Sequence, residues 1–396
     1  MVLCGILYNY FIAILAKYPN IPFLCNKNEC RIVLISEQHE RKVIKMERKA
    51  MTAVYSLAHF FVDMCCAFLM MRFVRSGYGE SFLLYNFCAF ALQMPIGIIL
   101  DKFGGGHRAA AAGCGLIFLS YFAALGGLLS PAAVCAGVGN ALFHAGGGVY
   151  VLDKYDSSGA LGIFVSPGAI GLYLGTIAGK GDGLFYIFPM LIMLFWTAFI
   201  FASPYIFRSD NKKGAAAENF FSFKASAPVI TAAMLFFAVV VIRSIGGFAL
   251  SFAWIITPMT AFAAVLVTAG GKALGGFASD FFGKEKAAAV SMPGAALLYL
   301  FSDNIIFGLM AILLFNMSMP MTLRAAADIF KGGRGFSFGL LTFALFLGYV
   351  PSYAAKGGMQ IGKGTMTILC IISAAMLLAG FALQRRAVHT DDPCNN

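Results

Sequence analysis

Charged residues are scarce in this chain. They make up 12% of its 396 positions, against roughly 25% in a soluble domain, and that excludes an ordinary water-soluble globule. Among ten cysteines there is no Cys-x-x-Cys pair and no cysteine–histidine ligand spacing, so neither a zinc site nor a disulfide framework is supported. Cys65, Cys66, Cys88, Cys114, Cys135 and Cys370 lie within apolar runs. The triplet Gly104-Gly105-Gly106 lacks the lysine and hydroxyl of a phosphate-binding loop, which excludes ATP hydrolysis. Histidine, aspartate and cysteine do not gather at one membrane face, and no nucleophile motif appears; both absences argue against a polytopic membrane enzyme.

What the chain has in abundance is apolar side chains. Hydrophobic residues reach 60% and the mean hydropathy is +0.81, the composition of a polytopic membrane protein. The net charge of +11 sits in short loops between apolar runs, a sign of membrane topology rather than of nucleic-acid binding. Twelve runs follow Thr52, near 52–74, 81–100, 109–129, 132–152, 159–178, 184–207, 228–250, 255–279, 287–301, 305–323, 336–354 and 365–383. Most are long enough to cross about 30 Å of hydrocarbon at about 1.5 Å per residue; the ninth is short. The longest internal polar segment, Arg208 to Ser226, divides them six and six.

The expected fold is therefore all-α, with twelve spanning helices in two six-helix pseudo-symmetric bundles. Residues 51–207 form the first bundle and 227–384 the second, joined by a cytoplasmic linker at 208–226 and followed by a tail at 385–396. Residues 1–50 fit poorly. Leu3 to Leu15 is too short to span and lacks the basic flank of a signal peptide. Pro19, Pro22, Asn26 and Asn28 then break the chain before a basic run from Arg41 to Lys49. Two readings stand: an irregular tail, or an over-extended start with Met46 or Met51 as initiator.

One stretch occurs twice. Gly97, Asp101, Lys102, Gly104 and Arg108 lie between the second and third runs; Gly276, Asp280, Gly283, Lys284 and Lys286 lie between the eighth and ninth. Gly97 and Gly276 let a helix end lie close to a neighbour, and Gly104 and Gly283 suit the tight reversal, because glycine tolerates positive φ. A second echo joins Asn140, which precedes Asp153 and Lys154, to Asn316, which precedes Asp328 and Lys331. Repeats of equal parity are related by an axis along the membrane normal, a transporter architecture. Basic residues orient the bundle. Fourteen occupy one set of loops and the C-terminal tail, whereas the other set holds Arg72, Arg75, Lys180, Lys356 and Lys363. The richer set is expected in the cytoplasm, with both termini.

Twelve helices in two halves, with Gly-x-x-x-Asp-x-x-Gly after helices 2 and 8, resemble the major facilitator superfamily over about 52–384. Ser56-Leu-Ala-His59-Phe-Phe-Val-Asp63-Met and Gly139-Asn-Ala-Leu-Phe-His144 resemble its fosmidomycin-resistance branch of drug exporters. The chain departs from that branch at Ala145-Gly146, where Pro-Glu is usual, and it has Phe281 where the superfamily has a basic residue. The resemblance implies a plasma-membrane carrier acting as a monomer on a small-molecule substrate and protons, without a cofactor or metal. It also implies that Asp101 and Asp280 hold the two halves together on the cytoplasmic side, each facing the positive N-terminal end of a helix in the opposite half. The partners expected are helix 11 near Gly335 and helix 5 near Ser158. Gly162, Pro167, Gly168 and Gly171 in helix 5 partly match the motif of superfamily antiporters, although small residues at such spacing also serve close helix packing.

Polar residues inside helices carry the functional expectation. Asp63 stands near the middle of helix 1, where a charge costs about 2.5–3.5 kcal/mol on insertion scales, and His59 is four residues earlier on the same face. The pair is either protonatable and cavity-facing or a structural hydrogen bond. His144 either joins it or bonds a neighbouring carbonyl. Arg243, which keeps its charge, binds an anionic group, pairs with a carboxylate, or snorkels. Lys272 is expected to snorkel. Gln93, Asn140 and Asn316 either line the cavity or pack. The leading function is a proton-coupled exporter of a small organic molecule, with an uptake symporter or uniporter as the alternative within transport.

Overall fold

The computed structural model describes residues 27–74, 79–181, 186–206, 226–330, 332–355 and 359–390, with side chains from Met46 to Arg386. The linker expected at 208–226 lies outside the described residues except for Ser226, as do the last residues of the C-terminal tail. The chain divides into Met1–Glu47 and Arg48–Asn396. Helix begins at Lys27 and continues unbroken to Leu69, which corrects the expectation of an irregular segment for residues 27–50. No proline or glycine follows Pro22 until Gly77, so nothing interrupts the helix-favouring lysine, arginine and glutamate residues.

Twelve helices cross the second unit. They are α1 (Met46–Val74), α2 (Gly79–Phe103), α3 (Gly106–Leu125), α4 (Leu129–Lys154), α5 (Ser158–Lys180), α6 (Ile187–Ile206), α7 (Ala227–Ala249), α8 (Pro258–Phe282), α9 (Lys284–Leu300), α10 (Ile305–Ile329), α11 (Arg334–Ala354) and α12 (Lys363–Arg386). Eleven are long and apolar enough to cross a membrane; α9, at 17 residues, is the short one. The protein is an integral multi-pass membrane protein. Its large side chains accordingly also cover the outside: Phe188, Tyr205 and Phe281 are exposed, as a lipid-facing surface requires.

Local chemistry sets the helix ends. The Ser157 hydroxyl accepts from the Ala160 amide at 3.3 Å to start α5, and Thr257 and Thr260 form a capping box before α8 with Pro258 in its first turn. Gly104 and Gly283 take φ of 70° and 86° at the two motif turns, a conformation costly for any residue with a Cβ. Prolines account for two irregularities. Pro95 has no N–H for the Ala91 carbonyl, and α2 widens into a π segment at Phe87–Ala91. Pro320 leaves the Asn316 carbonyl unmatched, and α10 breaks at Met317.

Glycines bring backbones together. Gly171, Gly175 and Gly179 of α5 seat α1, since a Cβ at each would collide with the carbonyls of Phe60, Met64 and Phe68. Between the halves, Gly97 of α2 lies on Gly335 of α11, and Gly276 of α8 lies on Ser158 of α5. Tyr55, Phe143 and Phe164 fill the first bundle; Phe236, Tyr299 and Phe381 fill the second.

Candidate functional site

Four of the sequence-predicted residues meet in the first bundle. His59 and Asp63 project from one face of α1, one turn apart; Asn140 and His144 project from α4 at the same spacing. Their side chains converge. His59 Nε2 lies 3.1 Å from Asp63 Oδ2, the Asn140 amide donates to Asp63 Oδ1 at 3.1 Å, and His144 Nε2 stands 3.6 Å from the same oxygen. The two imidazole Nε2 atoms are 2.8 Å apart. His59 is buried, and Asp63 keeps 19% of its side chain exposed.

The other ring nitrogens decide the proton count. His59 Nδ1 lies 2.8 Å from the Phe164 carbonyl and His144 Nδ1 lies 2.9 Å from the Asn140 carbonyl. A carbonyl only accepts, so both Nδ1 atoms carry hydrogen. Two neutral rings would then face one another with bare Nε2 lone pairs at 2.8 Å, beside a carboxylate. That arrangement is repulsive. A proton between the nitrogens would convert it into an N–H···N hydrogen bond. Ligand atoms of His59, Asp63 and His144 lie within 4.8 Å of one another, close enough to invite comparison with a metal site. Two nitrogens bound to one zinc at about 2.0–2.1 Å in tetrahedral geometry stand about 3.3 Å apart, so the observed spacing fits the proton better.

Glycines shape the surroundings. A Cβ at Gly168 would run into both His59 Nε2 and Asp63 Oδ2, and one at Gly147 would meet the rings of Phe164 and Tyr55. Gly148 lies under the Phe338 ring of α11. The run at 146–148 is thus a packing seat. Gly162 abuts the Lys272 carbonyl of α8. Most of the helix-5 motif thereby serves close packing, with Gly168 beside the cluster; Pro167 lies in the α5 interior.

The other cavity candidates stay apart. Gln93 bonds the Ala89 carbonyl of its own helix at 2.6 Å, and Asn316 bonds that of Ile312 at 2.8 Å. Lys272 stands mid-helix and partly buried, its Nζ 3.5 Å from the Val165 carbonyl. This corrects the expectation that it snorkels: α8 packs against α5 there, not against a lipid interface. Arg243 of α7 lines a small cavity of about 20 Å³ with Phe338 and Leu341. A larger groove of about 590 Å³ between α1 and α6 is lined by apolar side chains, such as Leu57, Phe61 and Phe195, and holds none of the site residues.

At one end the repeated motif bridges the halves. Asp101 is buried and accepts from the amides of Gly335 and Phe336 at 2.7 and 2.8 Å. Asp280 accepts from the amides of Ser158 and Gly159 at 2.8 and 2.9 Å and from the Ser157 hydroxyl at 2.6 Å. Each carboxylate therefore caps a helix of the opposite bundle, where free amides and the helix dipole favour negative charge. Lys284 turns inward to Asp328 and Gln384 within its own half, while Lys102, Arg108 and Lys286 are exposed. The ionic links between halves come from residues whose sequence positions spoke only to topology. Arg324 reaches Asp156 and the Tyr155 carbonyl, and Arg334 reaches Asp153 and the Leu152 carbonyl.

No family model matches this chain, and no curated protein matches it. Solved structures do. A crystal structure of the E. coli fucose:proton symporter FucP, in a single-substitution form, aligns with a TM-score of 0.57 at 12% identity, covering 86% of this chain and 99% of that one. That of the human organic anion transporter MFSD10 (TETRAN) aligns at 0.60 and 13% identity, over 84% and 99% of the two chains. A FucP structure in the outward conformation aligns at 0.55 and 12% identity, over 86% and 99%. Twelve helices in two bundles, paired across the motif ends and superimposable on these proteins over nearly their whole length, give the chain the fold of the major facilitator transporters.

Proposed function

We propose that this protein is a secondary transporter of the plasma membrane that exports a small organic molecule in exchange for protons. One observation carries the reading: the 2.8 Å approach of His59 Nε2 to His144 Nε2 beside the Asp63 carboxylate, a place that a proton fits. A carrier driven by protons needs a group that changes charge within the membrane and that each side reaches in turn. The cluster supplies one. Its two-helix construction lets the proton leave when α1 and α4 shift against one another within the first bundle, because small changes there break the Nε2–Nε2 contact. The fold neighbours are transporters, which favours transport over catalysis.

The motif end acts as the gate. With Asp101 and Asp280 seated on α11 and α5, the halves are joined at that end, and the basic loops favour the cytoplasm for it. Release of both carboxylates opens the inward path. The likeness of the His59–Asp63 and Asn140–His144 segments to the fosmidomycin-resistance branch supports export. Symport is the alternative, as in the fucose:proton symporter whose fold the chain shares; the sign of proton movement separates the two.

A deletion strain screened against toxic compounds and nutrients identifies a substrate, and proteoliposomes containing a pH dye then test the mechanism. Asp63→Asn is expected to abolish gradient-driven transport while sparing substrate exchange. A variant that still concentrates substrate on an imposed proton gradient removes Asp63 from the mechanism.

A further inference from the structure

The small cavity beside Arg243, lined by α7, α10 and α11 of the second bundle, holds a cation and no anionic side chain among the described residues. Arg243 is only 9% exposed and has no hydrogen bond or ion pair among the described residues. Burying a permanent cation without a partner is costly, and two other inward arginines do not show it. Arg324 and Arg334, both partly buried, each hold a carboxylate and a backbone carbonyl. Lys272 adds a second cation within electrostatic reach of Arg243 and Asp63, with only the Val165 carbonyl near its Nζ. Asp63 forms no hydrogen bond or ion pair with either among the described residues; its partners are His59, Asn140 and His144.

From this imbalance we infer that Arg243 and Lys272 form the subsite for a negatively charged group on the transported molecule, which is a small organic anion. The inference rests on the transporter reading above and assigns its substrate class. Arg243 presents a planar fork suited to a carboxylate or phosphate. Around it, Met319, Leu323, Phe338, Leu341 and Leu345 line the same cavity and offer an apolar wall to the body of such a molecule. At about 20 Å³ the cavity has room for about one water, so a ligand requires it to widen. The spacing from Asp63 to Arg243 nearly repeats that from Asp101 to Asp280. Equivalent places in the two halves thus carry opposite chemistry: proton binding on α1, anion binding on α7.

The test uses the full chain in lipid nanodiscs at fixed pH, titrated with potassium benzoate, potassium phosphate or neutral benzyl alcohol against matched potassium chloride. The melting temperature is followed. At least one of the two anions raises it, in a saturable way, and benzyl alcohol does not. Arg243→Gln abolishes the shift, Arg243→Lys keeps a weakened one, and Lys272→Gln raises the half-saturating concentration about ten-fold, the loss of one charge-assisted contact. Without ligand, Arg243→Gln melts no lower than the unchanged protein, since it removes an unpaired charge. The inference is overturned by a shift that survives in Arg243→Gln, an equal shift with benzyl alcohol, no shift with either anion, or a lower melting point or failure to fold for ligand-free Arg243→Gln. No proton gradient is applied, so the result is independent of coupling at Asp63, which the flux experiment decides.

Discussion

His59 and His144 face each other Nε2 to Nε2 across 2.8 Å, and neither ring is free to turn away. The Phe164 carbonyl holds the first ring and the Asn140 carbonyl the second. The facing of the two Nε2 atoms is therefore a consequence of where two backbone oxygens lie. In protein labelled with ¹⁵N-histidine, only five side chains contribute signals. Solid-state NMR at neutral pH is expected to show one strongly deshielded proton coupled to two imidazole nitrogens, absent in His144→Phe. Two independent neutral rings would contradict the cluster geometry.

Asp101 gives the second prediction. Its buried carboxylate receives two backbone amides, and hydrogen bonds to a charged group contribute about 1.5–3 kcal/mol. Asp101→Asn is expected to shift the population toward the state open at the motif end by roughly ten-fold or more. Asp280 is exposed to water, so Asp280→Asn is expected to shift it less. Cysteine crosslinking across that end measures both, and an unchanged yield in Asp101→Asn shows that this aspartate merely stabilises its own surroundings.

The glycines of α5 separate packing from function. At Gly171 an added Cβ meets the Phe60 backbone, which cannot move aside; at Gly168 it meets the His59 and Asp63 side chains. Gly171→Ala is expected to lower stability by about 1–3 kcal/mol, seen as lost expression and a lower melting temperature. Gly168→Ala is expected to fold and reach the membrane yet lose proton-driven transport. Equal stability losses in both, with transport retained in Gly168→Ala, would count against the site.

Topology can be read by labelling. In a background without native cysteines, Lys212→Cys and Arg386→Cys are expected to resist impermeant maleimide added outside intact cells and to react after lysis. Labelling of either from outside reverses the orientation drawn from the basic loops.

What the sequence determined by itself follows from spacing along the chain. Twelve apolar runs imply twelve helices because the bilayer dictates their length. Residues four apart share a helical face, so the pairing of His59 with Asp63 was legible. The paired motif and its turn glycines were legible for the same kind of reason, whereas the helix ends opposite Asp101 and Asp280 were expected from the resemblance to the superfamily. Tertiary structure decided what depends on the rotation and approach of separate helices. It brought His144 onto His59 across 85 positions and set Asn140 against Asp63, yet left Asn316, its counterpart in the repeat, bonded to its own turn beside the α10 break. It turned Lys272 inward, left Arg243 without a hydrogen-bond or ion-pair partner among the described residues, and gave the ionic links between halves to Arg324 and Arg334. Hydrophobic patterning selects which face of a helix is buried, but the meeting of two polar atoms within about 3 Å depends on glycine seats and proline breaks in helices far apart in sequence.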